Sequence, residues 1–216
     1  MYKNKFKKFG GDQISDIIEY LNISILKEPS ITISVGCDSI QKRRKTIFAI
    51  TIMLYNTDIC NGAHVVFFRE SLPKIRDTQS RLYKEAEYLQ LIGTFLNDNL
   101  ISTYTRLDLS EIERKKYKYH LLKCNGEYSH VPPHLEEAVI KSLTLLPSDK
   151  IEFKLVDLHV DFNPFEGNMN LKGQYRNKSY TAYKSYASWL RGLGFRVWAK
   201  PLSHASSTAA DLLLHD

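Results

Sequence analysis

Three β-rich runs follow one another closely near the start of the chain, and they constrain the fold more than any other feature. They cover residues 31–38, 46–55 and 63–70. The middle run is rich in β-branched and aromatic residues, which are typical of strands. The short connections favour antiparallel neighbours, because a parallel crossover needs about a dozen residues or more. The sequence therefore predicts an antiparallel meander of three strands.

The rest of the chain predicts alternating helices and strands around that meander. Apolar residues at helical spacing predict helices at 12–27 and 77–98. Further elements are expected at 151–161 (strand), about 179–192 (helix), 195–200 (strand) and in a terminal helix. The segment 99–150 is interpreted as an insertion within a single domain that spans residues 1–216. This order predicts an α/β fold with a mixed sheet flanked by helices.

The composition indicates a globular protein without a membrane segment. Of the 216 residues, 43% are hydrophobic and 25% are charged. No apolar run reaches the roughly 18 residues that a spanning helix needs. The basic N-terminus lacks an apolar core and a cleavage site, so it does not fit a signal peptide. Three unevenly spaced cysteines indicate no disulfide framework and favour a reducing cytoplasm.

The chain carries an excess of positive charge that suits a polyanionic partner such as a nucleic acid. Its net charge is +6 and its sequence pI is about 9.1. Basic residues concentrate at Lys3 to Lys8, at Lys42, Arg43, Arg44 and Lys45, and at Arg114 to Lys118. The second cluster is the preferred candidate for phosphate contacts because it follows Asp38 closely. The alternative for each cluster is a solvated face.

Four acidic residues are candidates for a functional site. Two of them end predicted strands, and the other two lie in predicted helices. Asp38 and Asp161 each end an apolar run, while Glu85 and Asp211 lie in helical stretches. Carboxylates at the ends of apolar strands cost desolvation free energy unless a partner compensates. Mg²⁺ is such a partner, since it prefers carboxylate oxygens and water. Two ions about 4 Å apart can hold the attacking and leaving oxygens of a phosphodiester, so the four acids suggest a two-metal nuclease.

Each acid also has a simpler structural interpretation. Asp38 would cap a turn with Ser39, and Asp161 would form an Asx turn with the loop that follows it. Glu85 competes with Glu87, and a lone helical glutamate is usually solvated. The residues alone leave these alternatives open.

Several short motifs join these acids into one pattern. They are Val35-Gly-Cys-Asp38-Ser39, Arg81-Leu-x-x-Glu85, His159-Val-Asp161-Phe-Asn163-Pro, Asn177-Lys-Ser179, Gly192-Leu-Gly194, and Lys200-Pro with Ala205-Ser-Ser-Thr-Ala-Ala-Asp211. In these motifs and in the order of its elements, the chain resembles the ribonuclease H-like superfamily. More narrowly, it resembles the YkuK family of predicted ribonuclease H-like nucleases. The set spans residues 31–98 and 151–213 and is fairly specific as a whole.

The resemblance implies a ribonuclease H-like fold and a metal-dependent nuclease activity. The residues that it assigns as ligands of one or two Mg²⁺ or Mn²⁺ ions are Asp38, Glu85, Asp161 and Asp211. Asp38 would bridge both ions. Glu85 rather than Glu87 matches the arginine–glutamate motif, and the i, i+4 spacing places Arg81 on the face of Glu85.

Four further residues lie close to the acids in sequence. His204 would carry protons to a leaving group, or else only begin the terminal helix. Lys200 would contact phosphate or pair with an acid. Asp157 and His159 share a strand face with Asp161, because side chains alternate along a strand. Asp157 would position a ligand, whereas His159 is more typical of a satisfied sheet histidine.

A separate set of metal-type ligands lies in the insertion. Its members are His120, Cys124, His130 and His134. These residue types bind zinc, but their spacing is shorter than in a zinc finger and no CxxC is present. A structural zinc ion is therefore the less favoured interpretation.

The preferred function is hydrolysis of phosphodiester bonds in RNA or DNA by a two-metal mechanism. One alternative is a catalytically weak or inactive module of the same fold, which would hold nucleic acid through its basic clusters and through Tyr117 and Tyr119. Another is a phosphoryl-transfer enzyme, because actin-like ATPases share the superfamily's fold. No Gly-rich phosphate loop follows Asp38, which argues against it. The type of nucleic acid, endo- or exonuclease action and the oligomeric state stay open.

Overall fold

The centre of the fold is a mixed sheet. The computed structural model describes residues 2–28, 31–56, 63–100, 154–162, 178–200 and 203–215. Within these residues the strands are β1 (Lys7–Lys8), β2 (Ile31–Lys42), β3 (Lys45–Asn56), β4 (His64–Pro73), β5 (Asp157–Val160) and β6 (Arg196–Trp198). Their order across the sheet is β1-β4-β3-β2-β5-β6.

Strands β2, β3 and β4 form the predicted antiparallel meander, and β5 and β6 extend the sheet in parallel. β3 pairs antiparallel with both of its neighbours, β2 and β4. β5 pairs parallel with β2 on one side and with β6 on the other. The predicted fold class, an α/β fold with a mixed sheet and flanking helices, is therefore confirmed.

The first two strands of the meander run further than predicted. β2 continues past Asp38 to Lys42, and Lys42 lies opposite Lys45 across a tight turn. Arg43 in that turn has a φ of 50, which is in the left-handed region. The prediction ended β2 where its apolar side chains end. The backbone pairing continues beyond that point as a polar hairpin, because ladder hydrogen bonds do not require apolar side chains.

Helix α1 (Ile17–Lys27) begins later than the predicted residue 12. The Asp16 carboxylate accepts hydrogen bonds from backbone N–H groups of the first turn and caps the helix there. Ile14, which fits the helical spacing, is buried in an extended segment instead, and its N–H donates to the Phe6 carbonyl at 2.9 Å. The predicted start was therefore wrong, because one apolar residue belonged to a different element.

Helix α2 (Thr78–Asn99) lies within one residue of the predicted boundaries. Asp77 caps it by accepting a hydrogen bond from the Ser80 N–H at 2.7 Å. Its buried residues are Leu82, Glu85, Ala86, Tyr88, Leu89, Ile92, Gly93 and Leu96. Glu85 is the only carboxylic acid in that mostly apolar set, so the helix carries an acid toward the sheet.

The last two helices contain π-helical turns that the residue spacing did not predict. Helix α3 runs as α-helix over Lys178–Ala182, as π-helix over Tyr183–Ala187 and as α-helix over Ser188–Gly192. Helix α4 is π-helical over Ala205–Ala210 and α-helical over Asp211–His215. π-turns are rare and are frequently found at functional sites. In α4 the π-turn directly precedes Asp211.

The two faces of the sheet are covered unequally. On one face, α1, α2 and α3 bury the main hydrophobic core. On the other, α4 packs through a smaller cluster whose members are Ala49, Phe67, Ala210, Leu213 and Leu214. No helix in the described part of the chain is long and apolar enough to cross a membrane. The predicted insertion at 99–150 lies almost entirely outside the described residues, and the division into domains stays a prediction.

Candidate active site

Two of the predicted acids leave the sheet side by side. Asp38 lies in β2, and Asp161 directly follows β5. In the parallel pairing of these strands Cys37 lies opposite Val160, so the next residue on each strand is an aspartate. Adjacent strands are about 4.8 Å apart. The register of the sheet therefore makes Asp38 and Asp161 neighbours, although more than a hundred residues separate them in sequence.

Asp38 is a mostly buried carboxyl among other acids. Burial, together with the negative charges of Asp161 and Asp211, raises its pKa to about 6. Its Oδ1 atom accepts a hydrogen bond from the Ser39 N–H at 2.7 Å, which opposes that rise. Acids from β2, from the end of β5 and from α4 thus act on one another electrostatically.

Glu85 is the most deeply buried of the four acids, with 1% of its surface exposed. Burial, together with the charge of Asp38, raises its pKa to about 8. Its Oε1 atom accepts a hydrogen bond from Ser39 Oγ at 2.5 Å. Among the described residues, no group donates a hydrogen bond to its Oε2 atom. One buried oxygen of this carboxyl is therefore available to a cation.

Ser39 and Arg81 hold Glu85 in place. Arg81 Nη1 donates to the Ser39 carbonyl oxygen at 2.7 Å and to Ser39 Oγ at 2.8 Å, and it lies 3.5 Å from Glu85 Oε1. The i, i+4 relation of Arg81 to Glu85 is therefore an ion pair in the structure. From the sequence alone, Ser39 was interpreted only as a partner in a turn with Asp38, and its contact with Glu85 was not predicted. The available signal was the position of Ser39 in the same motif as Asp38.

Asp161 is paired with Lys200. The Lys200 Nζ atom lies 2.9 Å from Asp161 Oδ1, which makes an ion pair. Burial raises the pKa of Asp161, and the charge of Lys200 opposes that rise. Of the two roles considered for Lys200, the structure shows the pairing with an acid.

Asp211 is the most exposed of the four acids and begins the α-helical part of α4. Its Oδ1 atom lies 3.3 Å from His215 Nε2, which is an ion pair when His215 is protonated. His204 directly precedes the π-turn and makes no side-chain hydrogen bond that caps the helix. His204 lies at the start of the terminal helix, as its simpler interpretation expected, and its catalytic role stays a prediction.

Helix α4 approaches the sheet closely at Gly36. A Cβ atom on Gly36 would lie 2.2 Å from the carbonyl carbon of Ala205. Thr51 Oγ1 donates to the Ala205 carbonyl oxygen at 2.7 Å, and the Ala205 N–H donates to His159 Nδ1 at 3.0 Å. His159 thus accepts a hydrogen bond from the first residue of the π-turn. Contacts from β2, β3 and β5 together fix the start of α4. The small residues Ala205 to Ala210 predict a close approach of this helix to the sheet. They did not identify Gly36 as the point of contact, although a glycine inside a strand was the signal.

Asp157 belongs to a separate buried network. Its Oδ1 atom pairs with Arg196 Nε at 2.9 Å, and its Oδ2 atom accepts a hydrogen bond from Trp198 Nε1 at 2.9 Å. All three residues are at most 1% exposed. These contacts join β5 to β6. The predicted role of Asp157 in positioning a ligand stays a prediction.

The remaining candidate residues lie outside the acid cluster or outside the described residues. Glu87 pairs with Lys84 at 2.8 Å near the surface, so it is the solvated glutamate of the two that were considered. The residues Lys42, Arg43, Arg44 and Lys45 form an exposed hairpin end, about 13 Å along β2 from Asp38. The structure does not describe His120, Cys124, His130, His134, Tyr117, Tyr119 or the cluster Arg114 to Lys118.

The chemistry of the acid cluster fits a hard divalent cation, although its arrangement is not that of a formed metal site. Among the described residues, no group of three or more His, Cys, Asp or Glu side chains is arranged to hold an ion. The donors fit, because Asp38, Glu85 and Asp161 supply carboxylate oxygens, which hard divalent cations prefer. The free Oε2 atom of Glu85 is a further ligand position. Metal binding would therefore require these carboxylates to approach one another.

A comparison with known families matches the first half of the chain. A family model described as Ribonuclease H-like matches residues 13–121 of the 216. The matched segment contains Asp38 and Glu85 and ends before Asp161 and Asp211. No curated protein and no solved structure gives a significant match.

Proposed function

Because the chain belongs to the ribonuclease H-like family, we propose that it is a divalent-metal-dependent nuclease that hydrolyses phosphodiester bonds in RNA or DNA. The observation that carries the proposal is the set of mutually interacting acids at one end of the sheet, where burial raises the pKa values of Asp38, Glu85 and Asp161. Carboxyls perturbed in this way are concentrated at functional sites. A divalent cation would compensate their repulsion.

The residues that would hold one or two Mg²⁺ or Mn²⁺ ions are Asp38, Glu85, Asp161 and Asp211. When bound, the ions would supply Lewis-acid activation of water and stabilisation of charge at the phosphate. Ser39 and Arg81 would fix the Glu85 side chain, since both contact its Oε1 atom. The proton that Glu85 holds at neutral pH would leave when a metal ion binds, because metal ligands must be deprotonated.

Two further side chains would act on protons and charge at the site. Lys200 would keep Asp161 ionised through their ion pair. His204 would hold a proton near the leaving oxygen and release it as that oxygen departs. His204 lies at the start of α4, whose first residues are fixed to the sheet.

We also infer that the hairpin end guides a phosphate backbone toward the acids. Its four basic residues are exposed and consecutive. Arg43 adopts a left-handed conformation that Asn or Gly adopts at lower cost. An arginine at such a position supports a function for its side chain. The hairpin is joined to α4 because Lys42 Nζ donates to the Leu214 carbonyl at 3.0 Å.

Within the ribonuclease H-like family, the motifs support a place in the YkuK family. Two of the motif residues have clear structural consequences. Gly36 permits the approach of α4, and Ser39 contacts Glu85. The narrower family assignment and the cytoplasmic location stay predictions.

A cleavage assay with a matched pair of variants tests the proposal. Labelled single-stranded, duplex, hybrid and junction oligonucleotides of RNA and DNA are incubated with Mg²⁺ or Mn²⁺. We expect the wild type to cleave at least one of them, and we expect EDTA to abolish this cleavage. Asp38→Asn should lower the rate about 1,000-fold or more while retaining binding, since metal ions contribute several kcal/mol to the transition state. The control Asp12→Asn changes an exposed aspartate and should behave as wild type.

Two outcomes would contradict the nuclease proposal. Equal cleavage by wild type and Asp38→Asn would place the activity elsewhere. Binding of oligonucleotides without cleavage of any of them, in either metal, would favour the alternative of a catalytically inactive binding module.

The salt dependence of binding tests the hairpin. The double variant Arg43→Asn, Arg44→Gln removes two cations. It preserves the turn, because Asn adopts the left-handed conformation of position 43 at low cost. If both arginines contact phosphates, the slope of log affinity against log salt should flatten by about two units for every sequence. The control variant Lys27→Ala removes an exposed cation outside the three basic clusters and should keep the wild-type slope. Equal slopes for the wild type and both variants would show that the hairpin does not contact the nucleic acid.

A further inference from the structure

Three aromatic side chains form an exposed patch where α2 and α3 meet. They are Tyr83, Tyr186 and Trp189, and we call them the aromatic platform. The centroid of the Tyr83 ring lies 5.4 Å from that of Tyr186, edge to face, and 6.2 Å from that of Trp189 in a stacked arrangement. Tyr83 is 47% exposed and Trp189 is 36% exposed. A large part of both rings is therefore accessible to a ligand.

The aromatic platform shares helix α2 with Glu85 of the acid cluster. Tyr83 precedes Glu85 by two residues, which is about 3 Å along the helix axis and about 200° around it, so the two side chains leave different faces of α2. Phe162, which directly follows Asp161, packs against Tyr186 with 6.3 Å between ring centroids. The platform therefore lies on the exposed side of α2, and packing connects it to the end of β5.

Helix α3 has a charge pattern that suits a polyanion. Its basic residues are Lys178, Lys184 and Arg191, and the sequence of the helix contains no Asp or Glu. Lys184 Nζ lies 4.7 Å from the centre of the Tyr180 ring, so cationic and aromatic groups are interleaved on this helix. The helix that carries two of the three platform residues is thus basic in sequence. This combination fits an anionic ligand that carries flat rings.

We propose that the aromatic platform stacks with unpaired bases of a single-stranded nucleic acid. Aromatic side chains stack on any base, because every base has a π-face. In a duplex those faces are covered by neighbouring base pairs, so a duplex offers the platform only its ends. The inference rests on the proposed function and specifies its substrate class as single-stranded RNA or DNA.

Tryptophan fluorescence reports on the platform directly. The chain has two tryptophans, and Trp198 is 0% exposed. Quenching by an added oligonucleotide therefore reports on Trp189. The titration uses the wild-type chain in EDTA, so that no strand is cleaved. The probes are a 12-nucleotide single strand of RNA or DNA, the corresponding duplex, and an abasic strand with the same number of phosphates.

Stacking predicts a specific order among these probes. The single strands should quench Trp189, and the abasic strand should bind more weakly and leave the fluorescence unchanged. The variants Trp189→Ala and Tyr83→Ala should each weaken single-strand binding about 5- to 150-fold, the range measured for loss of one stacked base contact. Their affinities for the abasic strand and the duplex should stay unchanged. Trp189→Phe and Tyr83→Phe should retain most of the affinity, because a ring remains.

A matched control separates stacking from general loss of apolar surface. Phe9 is a 52% exposed aromatic residue in the N-terminal segment, and Phe9→Ala should bind all probes as wild type does. Melting temperatures of all variants show whether each is folded. If Trp189→Ala is unfolded, Tyr83→Ala and the quenching of wild-type Trp189 decide the question.

Two results would overturn the proposal. One is wild-type affinity for single strands in both alanine variants. The other is an equal loss of affinity for single strands, duplex and abasic strand, which would indicate that the platform contacts the phosphate backbone and not the bases. Cleavage is scored separately. Base-dependent binding without metal-dependent cleavage would refute the nuclease and keep the platform. Metal-dependent cleavage together with wild-type single-strand affinity in both alanine variants would do the reverse.

Discussion

Two carboxyls of this molecule are equally buried, but only one of them has a full set of partners. Asp157 and Glu85 are each 1% exposed. Asp157 has Arg196 and Trp198 at 2.9 Å, one on each oxygen. Glu85 has contacts at one oxygen only, and burial raises its pKa to about 8. A buried charge needs a partner, so the comparison indicates that Asp157 stabilises the sheet and that Glu85 is available for a ligand.

The largest expected effect comes from breaking the buried network around Asp157. Asp157→Ala would leave the Arg196 guanidinium buried without its counterion. Removing one member of a buried ion pair costs about 3–5 kcal/mol. Urea unfolding at neutral pH measures this loss, with Asp12→Ala as a surface control. A loss below about 1 kcal/mol would show that the network does not stabilise the sheet.

Glu85→Gln should have the opposite effect in the metal-free protein. The unfolded carboxyl ionises near its ordinary pKa of 4.5, whereas the folded one keeps its proton up to a pKa of about 8. Between these values the unfolded state binds fewer protons, so stability falls as pH rises, by about 1.4 kcal/mol per pH unit. Gln does not ionise, and the variant escapes this loss. We expect it to be roughly 2–4 kcal/mol more stable than wild type at pH 7.5 and to differ little near pH 4.5.

Unfolding curves in EDTA at several pH values between 4.5 and 8 measure this difference. Glu87→Gln is the matched control on the same helix, because Glu87 is half-buried and paired with Lys84. Parallel pH profiles for wild type and Glu85→Gln would contradict the raised pKa of Glu85.

The fold was predictable because its strands and helices differ in the periodicity of their apolar residues. The runs at 31–38 and 46–55 and the helix at 77–98 each carry one uninterrupted pattern. The errors occurred where other forces decide. A capping aspartate moved the start of α1, and polar pairing extended the hairpin. The π-turn of α4 coincides with the contact at Gly36, which depends on tertiary structure rather than on local spacing.

Local patterns in the sequence identify the acids and the i, i+4 partner of Glu85, but they do not identify the partners that packing brings in from other elements. Asp38 and Asp161 end apolar runs, and this is a local property of the sequence. The Asp157 partners lie 39 and 41 residues away, and no periodicity links such residues. Ser39 follows Asp38 directly, yet its hydrogen bond goes to α2 and depends on how that helix packs. Local patterns thus identify groups that are costly to bury, and only packing shows which are compensated.

Added metal should stabilise the protein if the acids hold it. Ions that bind only the folded state raise the free energy of unfolding by about 2.7 kcal/mol at 100 times their dissociation constant. We therefore expect Mn²⁺ to raise the melting temperature of wild type, and the rise should shrink in Asp38→Asn. Asp157→Asn should have a lower melting temperature without metal but show the same rise with Mn²⁺, because Asp157 pairs with Arg196 and Trp198. A melting curve that millimolar Mn²⁺ does not move would argue against the site.

The smallest expected effect tests whether α4 and its Asp211 belong to the site. A Cβ at position 36 would meet the Ala205 and Ser206 backbone at 2.2–2.5 Å, and a backbone cannot rotate away as a side chain does. Gly36→Ala must therefore displace α4, at a cost of about 1–3 kcal/mol. Gly10→Ala has no atom within 4 Å and should be neutral. Because the displacement moves Asp211, the stabilisation by Mn²⁺ should shrink along with the stability. A variant that loses stability but keeps the full Mn²⁺ shift would exclude Asp211 from the metal ligands and leave the acids of β2, α2 and the end of β5.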